Sequence, residues 1–418
     1  MRRWNAVAVR LKRPRLSPGS AGENEGWRDW KLDVPSGGDR HKGDEVENVL
    51  GMATGDGENS YAANSRTPMK AIRENMSLLR KAVEQVYTSL SPASVMVIAD
   101  LGCSSGPNAL LIAAEVIGMI SDCNQKTNEK RDMELQFFLN DLPSNDFNLV
   151  FQSLDQFHNV TRKEEGNVAA AAPYFIFGVP GSFYTRLFPK QSVHLFHSSY
   201  SLHWLSKVPE ELSSGNYLNE GNIHIGKTTP PLVANVFREQ FQIDFELFLQ
   251  LRSKELMTGG RMLLTFLGRK SEEMLMHGEI GIMWELLSES LQSLVLKGRV
   301  EKEKLDSFNL PLYAPSMEEV KVVINRIGLF HIEHMGLVAF NWDPQDDDTD
   351  DDHEVLDPAN SGTNVSKSIR SVLEPLIAGH FGEDILDELF VVYASVVAKY
   401  LEKKNAKCPS VVVFLKKA

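Results

Sequence analysis

Along the 418-residue chain, apolar residues occur either as short unbroken runs or as stripes spaced by three and four, and the two kinds alternate. Val95-Met-Val-Ile-Ala is an unbroken run rich in β-branched residues that ends at Asp100, the pattern of a strand covered on both faces. Leu135-Gln-Phe-Phe-Leu-Asn predicts the next strand, ending at Asp141, and further strands are expected at 174–184, 192–199, 259–268, 329–342 and 410–415. Between them, Ile72, Met76, Leu79, Val83, Val86 and Leu90 recur on one helical face. This predicts a single helix capped at Thr67 with Pro68 in its first turn. Other helices are expected from Asn108, over 237–256 and 283–295, from Ser316 to Arg326, and over 364–378 and 383–404. Ser316 and Glu319 have capping-box spacing, with Gly328 as the stop. Residues 207–232, rich in Gly, Pro and Asn, read as a mobile connection. Strands alternating with helices give an α/β class with a largely parallel sheet.

The first strand runs into Gly102-Cys-Ser-Ser-Gly-Pro-Asn108 and then a helix, so free backbone N–H groups and a helix N-terminus meet at the carboxyl edge of the sheet. Nucleotide-like cofactors bind there. The spacing is neither Gly-x-Gly-x-x-Gly nor a phosphate loop ending in Gly-Lys-Ser/Thr. Residues 102–106 do spell Gly-x-Ser-x-Gly, the nucleophile elbow of an α/β hydrolase, with Ser104 as nucleophile. Against this, an elbow follows several strands, whereas about fifty folded residues precede Ser104. A third reading is an S-adenosylmethionine loop, which needs a second acid at the end of the next strand to take ribose hydroxyls. Asp141 has that position.

Composition narrows the partners. The net charge of -12 argues against affinity for nucleic acid or an anionic membrane and favours small molecules. No apolar run approaches the ~18 residues of a membrane span. Cys103, Cys123 and Cys408 are widely spaced, without a Cys-x-x-Cys pair, as expected for a reducing, cytoplasmic setting. Residues 1–51 open with six basic residues by position 15, turn acidic at Glu23 and carry no apolar periodicity. They read as a disordered extension, and 52–418 as the folded domain. His194 and His197 alternate to opposite strand faces without a third ligand, so they read as structural. The acidic run Asp346–Asp352 lacks calcium-loop spacing and reads as a solvated loop.

Gly57-Glu-Asn-Ser-Tyr, Ala99-Asp-Leu-Gly-Cys-Ser-Ser-Gly-Pro-Asn, Phe138-Leu-Asn-Asp-Leu-Pro, Pro180-Gly-Ser-Phe-Tyr and His197-Ser-Ser-Tyr-Ser-Leu-His-Trp follow one another in this order. Together they resemble the plant SABATH methyltransferases, over about residues 46–418. That family methylates small acids such as salicylate, benzoate, anthranilate, jasmonate and indole-acetate, and xanthine nitrogens. The resemblance implies a Rossmann-like sheet with the last strand antiparallel. It also implies a helical cap drawn from about 207–235, 272–315 and 360–395, and a homodimer.

Carried over by motif, Tyr61, Cys103, Asn108, Asp141, Leu142, Ser182 and Phe183 would form the S-adenosylmethionine site, while Tyr200, His203, Trp204 and Trp284 would surround the acid. An optional magnesium ion falls on Asn219, Asp306, Phe308 and Asn309. Two polar positions of salicylate-type relatives are here Ala53 and Pro68, which points away from salicylate, whereas the Asn341-Trp-Asp-Pro stretch resembles grass anthranilate and benzoate enzymes. A carboxylic acid of pKa ~4 is already ionised at neutral pH, so no catalytic base is expected. His203 and Trp204 would hold the carboxylate. Jasmonate, indole-acetate or xanthine methylation, and a silent acid-binding relative, are the alternatives.

Overall fold

Seven strands form one sheet in the order β3-β2-β1-β4-β5-β7-β6. They are β1 (Val95–Leu101), β2 (Glu134–Asp141), β3 (Tyr174–Pro180), β4 (Val193–Ser199), β5 (Leu256–Leu267), β6 (Phe330–Asn341) and β7 (Lys407–Lys417). The first five are parallel; β7 enters antiparallel between β5 and β6. This is the Rossmann-like sheet with its last strand reversed that the resemblance implies. The computed structural model describes residues 50–91, 94–127, 133–155, 157–158, 172–346 and 357–418. The expected extension lies outside them up to residue 49, as do 347–352 of the acidic run. Leu50 and Gly51 are half-buried.

The helices are α1 (Tyr61–Asn64), α2 (Arg66–Glu74), α3 (Met76–Ser89), α4 (Asn108–Thr127), α5 (Phe147–Gln152), α6 (Glu210–Ser213), α7 (Pro231–Glu255), α8 (Glu279–Leu296), α9 (Lys302–Ser307), α10 (Met317–Ile327), α11 (Pro358–Phe381) and α12 (Leu386–Leu401). On one face of the sheet, α3 and α4 bury Leu79, Val83, Val116 and Ile120 against Ile98, Leu135 and Phe414. On the other, α7 and α10 bury Phe237, Phe245, Phe248 and Val323 against Phe196, Leu264 and Val413. A third core belongs to the cap, where Leu287, Leu291, Leu389 and Tyr393 join α8 to α12, with α11 beside them. The capping box at Ser316 and Glu319 and the left-handed Gly328 form as expected.

Two expectations need correction. The helix expected from Thr67 to Leu90 begins at Arg66 and is broken at Asn75, whose side-chain amide donates to the Ala71 carbonyl (2.8 Å) and to Thr265 Oγ1 (3.3 Å). The side chain thus stitches the break to β5. Nor is 207–232 a mobile connection. Asn219 Nδ2 donates to the His224 carbonyl, Thr229 Oγ1 donates to Asn219 Oδ1, and Asn222, Ile223, His224 and Ile225 are buried.

Candidate functional site

The turn after β1 is built so that only glycine fits its first position. Gly102 has φ +77°, and a Cβ there would stand 2.1 Å from the Ser201 hydroxyl oxygen. Gly102 and Cys103 both donate N–H to the Asn140 carbonyl at 2.9 Å, which ties the turn to β2. Ser104 follows at φ 55°, left-handed for a residue with a side chain. Its N–H donates to Asp141 Oδ2 at 2.7 Å, and Leu142 N–H donates to Asp141 Oδ1 at 2.7 Å. Asp141 is therefore joined to the glycine loop by hydrogen bonds, as its sequence position suggested. Ser104 Oγ is buried without a hydrogen-bond partner among the described residues, so none of them is in place as the base that the hydrolase reading requires.

Burial pushes the Asp141 carboxyl up from 3.8 to about 6; the two N–H groups pull the other way, and Asp100 adds to the rise. Because the folded value is raised, the carboxylate opposes folding above about pH 6, and that opposition is gone below pH 4. Ribose hydroxyls are held more strongly by the ionised form. Cofactor affinity is therefore expected to weaken severalfold as pH falls from 7.5 to 5, measured by calorimetry; a flat profile across that range would remove Asp141 from the contact.

Asp141 borders a cavity with about 1440 Å³ of empty space, counting its open mouth. Its wall runs from Gly102 and Ser182 at the sheet edge to Met283 and Trp284 in the cap. Tyr61, Leu142, Ser182 and Phe183 share the wall with Asp141. Cys103 and Asn108 do not face it. The Cys103 thiol is buried against the Ser104 carbonyl, and Asn108 Nδ2 donates to the Ser65 carbonyl at 2.9 Å, so they frame the loop from behind. Burial raises the Tyr61 phenol above its ordinary range, and Asp141 adds to the rise. Ser104 Oγ, without a hydrogen-bond partner among the described residues, and the desolvated Asp141 carboxylate on a shared wall suit a ligand with a hydroxyl-bearing sugar.

Tyr200, His203, Trp204 and Trp284 line the same cavity. Tyr200 has φ 59°, and its phenol oxygen lies 2.9 Å from Ser410 Oγ. His203 Nδ1 accepts the Leu267 N–H at 3.3 Å, which leaves the ring proton on Nε2. Burial pushes this histidine down from 6.5 to about 3, so it is a neutral N–H donor throughout the physiological range. The Trp204 carbonyl accepts the Tyr184 hydroxyl at 2.7 Å. His197 and His194 are structural: His197 Nδ1 lies 2.7 Å from buried Asp100, and His194 Nδ1 accepts the Val97 N–H.

The four positions considered for magnesium lie away from the cavity. Asp306 accepts the Gly221 N–H with one oxygen and pairs with Lys302 through the other; Asn219 is engaged with His224 and Thr229, and Phe308 packs on His380 and Phe381. Asn309 Oδ1 is buried without a hydrogen-bond partner among the described residues, but that oxygen and one carboxylate already paired with a lysine are a poor set for a cation that demands octahedral oxygen ligands.

Several wall residues carried no signal in the sequence. Val365, Ser368, Ile369 and Val372 line it from one face of α11, and Trp342 and Cys408 also border it. Ala53 is buried outside the wall, and Pro68 lies in it.

Residues 47–418 match the family model described as SAM dependent carboxyl methyltransferase. The chain is 48% identical to anthranilate O-methyltransferase 1 of Zea mays, over 89% of this chain and 98% of that protein. It is 47% identical to the benzoate O-methyltransferase of Zea mays, over 89% of this chain and 100% of the relative. Among solved structures, a loganic acid methyltransferase with SAH superposes with a TM-score of 0.74 at 32% identity, covering 88% of this chain and 98% of its own.

Proposed function

The chain belongs to the S-adenosylmethionine-dependent carboxyl methyltransferases, and from that membership we propose that it esterifies a small aromatic carboxylic acid, with benzoate and anthranilate as the leading substrates and salicylate less favoured. The observation that carries this reading is that the Asp141 end and the His203–Trp204 end are walls of one cavity. The Zea mays relatives named for anthranilate and benzoate support the choice of acids.

S-adenosylmethionine, when bound, supplies an electrophilic methyl group on sulfonium, which passes to a carboxylate oxygen as the carbon–sulfur bond breaks and the sulfur keeps the electron pair. The protein's own part is positioning. His203, neutral and fixed as the Nε2–H tautomer by Leu267, is too weak a base to take a proton, and an ionised acid has none to give. Its N–H can orient the carboxylate without neutralising it as a lysine or arginine would. Met283, Trp284, Leu267 and Leu312 line the surrounding wall and keep water out, which favours a transition state in which opposite charges cancel. Magnesium has no step in this scheme. A cytosolic homodimer is part of the same proposal; the three cysteines, buried and widely spaced, suit a reducing compartment.

The test is incubation with methyl-labelled cofactor and a panel of benzoate, anthranilate, salicylate, jasmonate, indole-acetate and xanthines. Methyl esters of the first two should dominate. Transfer only to a xanthine nitrogen, or to nothing, would overturn the reading. Within it, His203→Met should raise the salicylate-to-benzoate ratio of kcat/KM a few-fold, by removing one polar contact of ~1 kcal/mol. An unchanged ratio would mean that His203 does not contact the acid.

A further inference from the structure

We propose that Ser410, a buried residue of β7 behind the cavity wall, is a positioning residue for methyl transfer: it donates its hydroxyl proton to the Tyr200 phenol and so leaves the phenol's own proton for the carboxylate of the acid. This rests on the carboxyl methylation proposed above and adds to it a second donor, beside His203, and the residue that aims it.

The direction of the bond follows from counting protons. Two hydroxyls 2.9 Å apart share one hydrogen bond, so one of their two protons is left over. Ser410 is 0% exposed and its Oγ has no other partner among the described residues, so a leftover proton there would be sealed in without an acceptor. Tyr200 is half-buried and lines the cavity, where a bound anion can accept. Ser410 is therefore the donor, and the phenol proton is the free one. Burial raises the phenol well above its ordinary range, so that proton stays in place at neutral pH.

Where the phenol is held favours the acid over the cofactor as acceptor. Tyr200 directly follows β4 at φ 59°, its N–H donates to the Thr265 carbonyl of β5 at 2.8 Å, and its phenol oxygen reaches Ser410 on β7. Asp141 and the glycine loop follow β2 and β1, on the other side of β4 in the sheet. His203 is anchored where Tyr200 is: its Nδ1 accepts the N–H of Leu267, and Leu267 is the β5 residue paired with Ser410. One rung of the sheet thus holds both rings, which stand at 87° with centroids 6.1 Å apart. Two neutral donors tied to one rung suit the two oxygens of one carboxylate and leave its negative charge for attack. Tyr61, on the cofactor wall, is near enough to act on the Tyr200 phenol, so the cofactor is the rival acceptor.

The experiment measures kcat/KM for benzoate, cofactor affinity by calorimetry and melting temperature in the wild type, Tyr200→Phe, Ser410→Ala, Ser410→Thr and the double variant of Tyr200→Phe with Ser410→Ala. Tyr200→Phe should lower kcat/KM about tenfold, as the loss of one hydrogen bond to a charged group does. Ser410→Ala should lower it about fivefold, because the phenol proton is then free to turn away from the acid. The double variant should be no worse than Tyr200→Phe alone, Ser410→Thr should recover most of the loss by restoring the hydroxyl, and cofactor affinity should hold within about twofold throughout. Losses that multiply in the double variant would show that Ser410 acts on the fold and not through Tyr200, and would overturn the proposal. So would a loss confined to cofactor affinity, or a Ser410→Thr enzyme no better than Ser410→Ala at the same melting temperature. An unchanged kcat/KM in Tyr200→Phe would overturn it without any Ser410 variant. Failure of the wild type to methylate any acid, benzoate included, would instead overturn the carboxyl reading itself.

Discussion

Replacing Asp141 by alanine should raise the dissociation constant for S-adenosylmethionine at least tenfold at pH 7.5 while changing the melting temperature of the free protein little. Two opposing effects set the second half of that expectation. The substitution leaves the Ser104 and Leu142 N–H groups without the carboxylate that accepts them at 2.7 Å, at ~1–3 kcal/mol for each buried donor left unpaired. It also removes a buried charge whose carboxyl is pushed from 3.8 up to about 6, an unfavourable contribution of ~3 kcal/mol at neutral pH. These nearly cancel. Cofactor binding has no such offset, because the ribose hydroxyls lose their acceptor and the loop that carries Ser104 loses its anchor to β2. Asp141→Asn separates the two roles: it keeps the shape and one acceptor oxygen but removes the titrating group, so any remaining binding should lose its dependence on pH near 6. Calorimetry from pH 5 to 8 on both variants reads all of this, and wild-type affinity in the alanine variant would exclude Asp141 from the site.

The parts of this site that could be read from the chain have local signals. The run from Val95 to Asp100, the glycine turn and the strand ending at Asp141 each declare themselves within a few residues, because an unbroken β-branched run, a required positive φ and an acid at a strand end are properties of short segments. The Ser316–Glu319 capping box was legible for the same reason. The strand order was not in the periodicity at all; it came with the family resemblance. The break at Asn75 escaped because its side-chain partner, Thr265, is 190 positions away. The α11 face at Val365, Ser368, Ile369 and Val372 escaped for a different reason: a stripe facing a ligand cavity has the same spacing as one facing a core. Trp342 appeared only as part of a family-like stretch.

The same limit applies to the largest stability effect expected, at Arg252. From the sequence, Arg252 and Glu255 look like an ordinary i,i+3 surface pair, yet both side chains are fully buried. Arg252 donates to the Phe183 carbonyl at 3.0 Å and the Thr185 carbonyl at 2.7 Å, and its guanidinium lies over the rings of Phe196 and Phe248. Its Nε is 2.8 Å from Glu255 Oε2, near enough for an ion pair but at an angle that makes no hydrogen bond. Glu255 Oε1 accepts the N–H groups of Leu187 and Phe188 and Arg186 Nε. The pair thus pins, from the end of α7, the segment that brings Ser182, Phe183 and Tyr184 to the cavity wall. Burial lowers the arginine only to about 10, so it stays charged at neutral pH. Arg252→Met would leave the buried Glu255 carboxylate with only the part-exposed Arg186 as counter-charge and two carbonyls without donors. We expect a loss of ~3–5 kcal/mol, or a fall in melting temperature of about 5 °C for a chain of this size. Surviving enzyme should bind the cofactor severalfold more weakly, with KM for the acid little changed. Arg252→Lys should recover only part of this, since one ammonium cannot span both carbonyls. Adding Glu255→Gln to Arg252→Met should restore some stability by removing the stranded charge. Scanning calorimetry on the two single variants and the double one tests the pairing: a double variant less stable than Arg252→Met alone would show that Glu255 acts through the Leu187 and Phe188 amides rather than through the arginine.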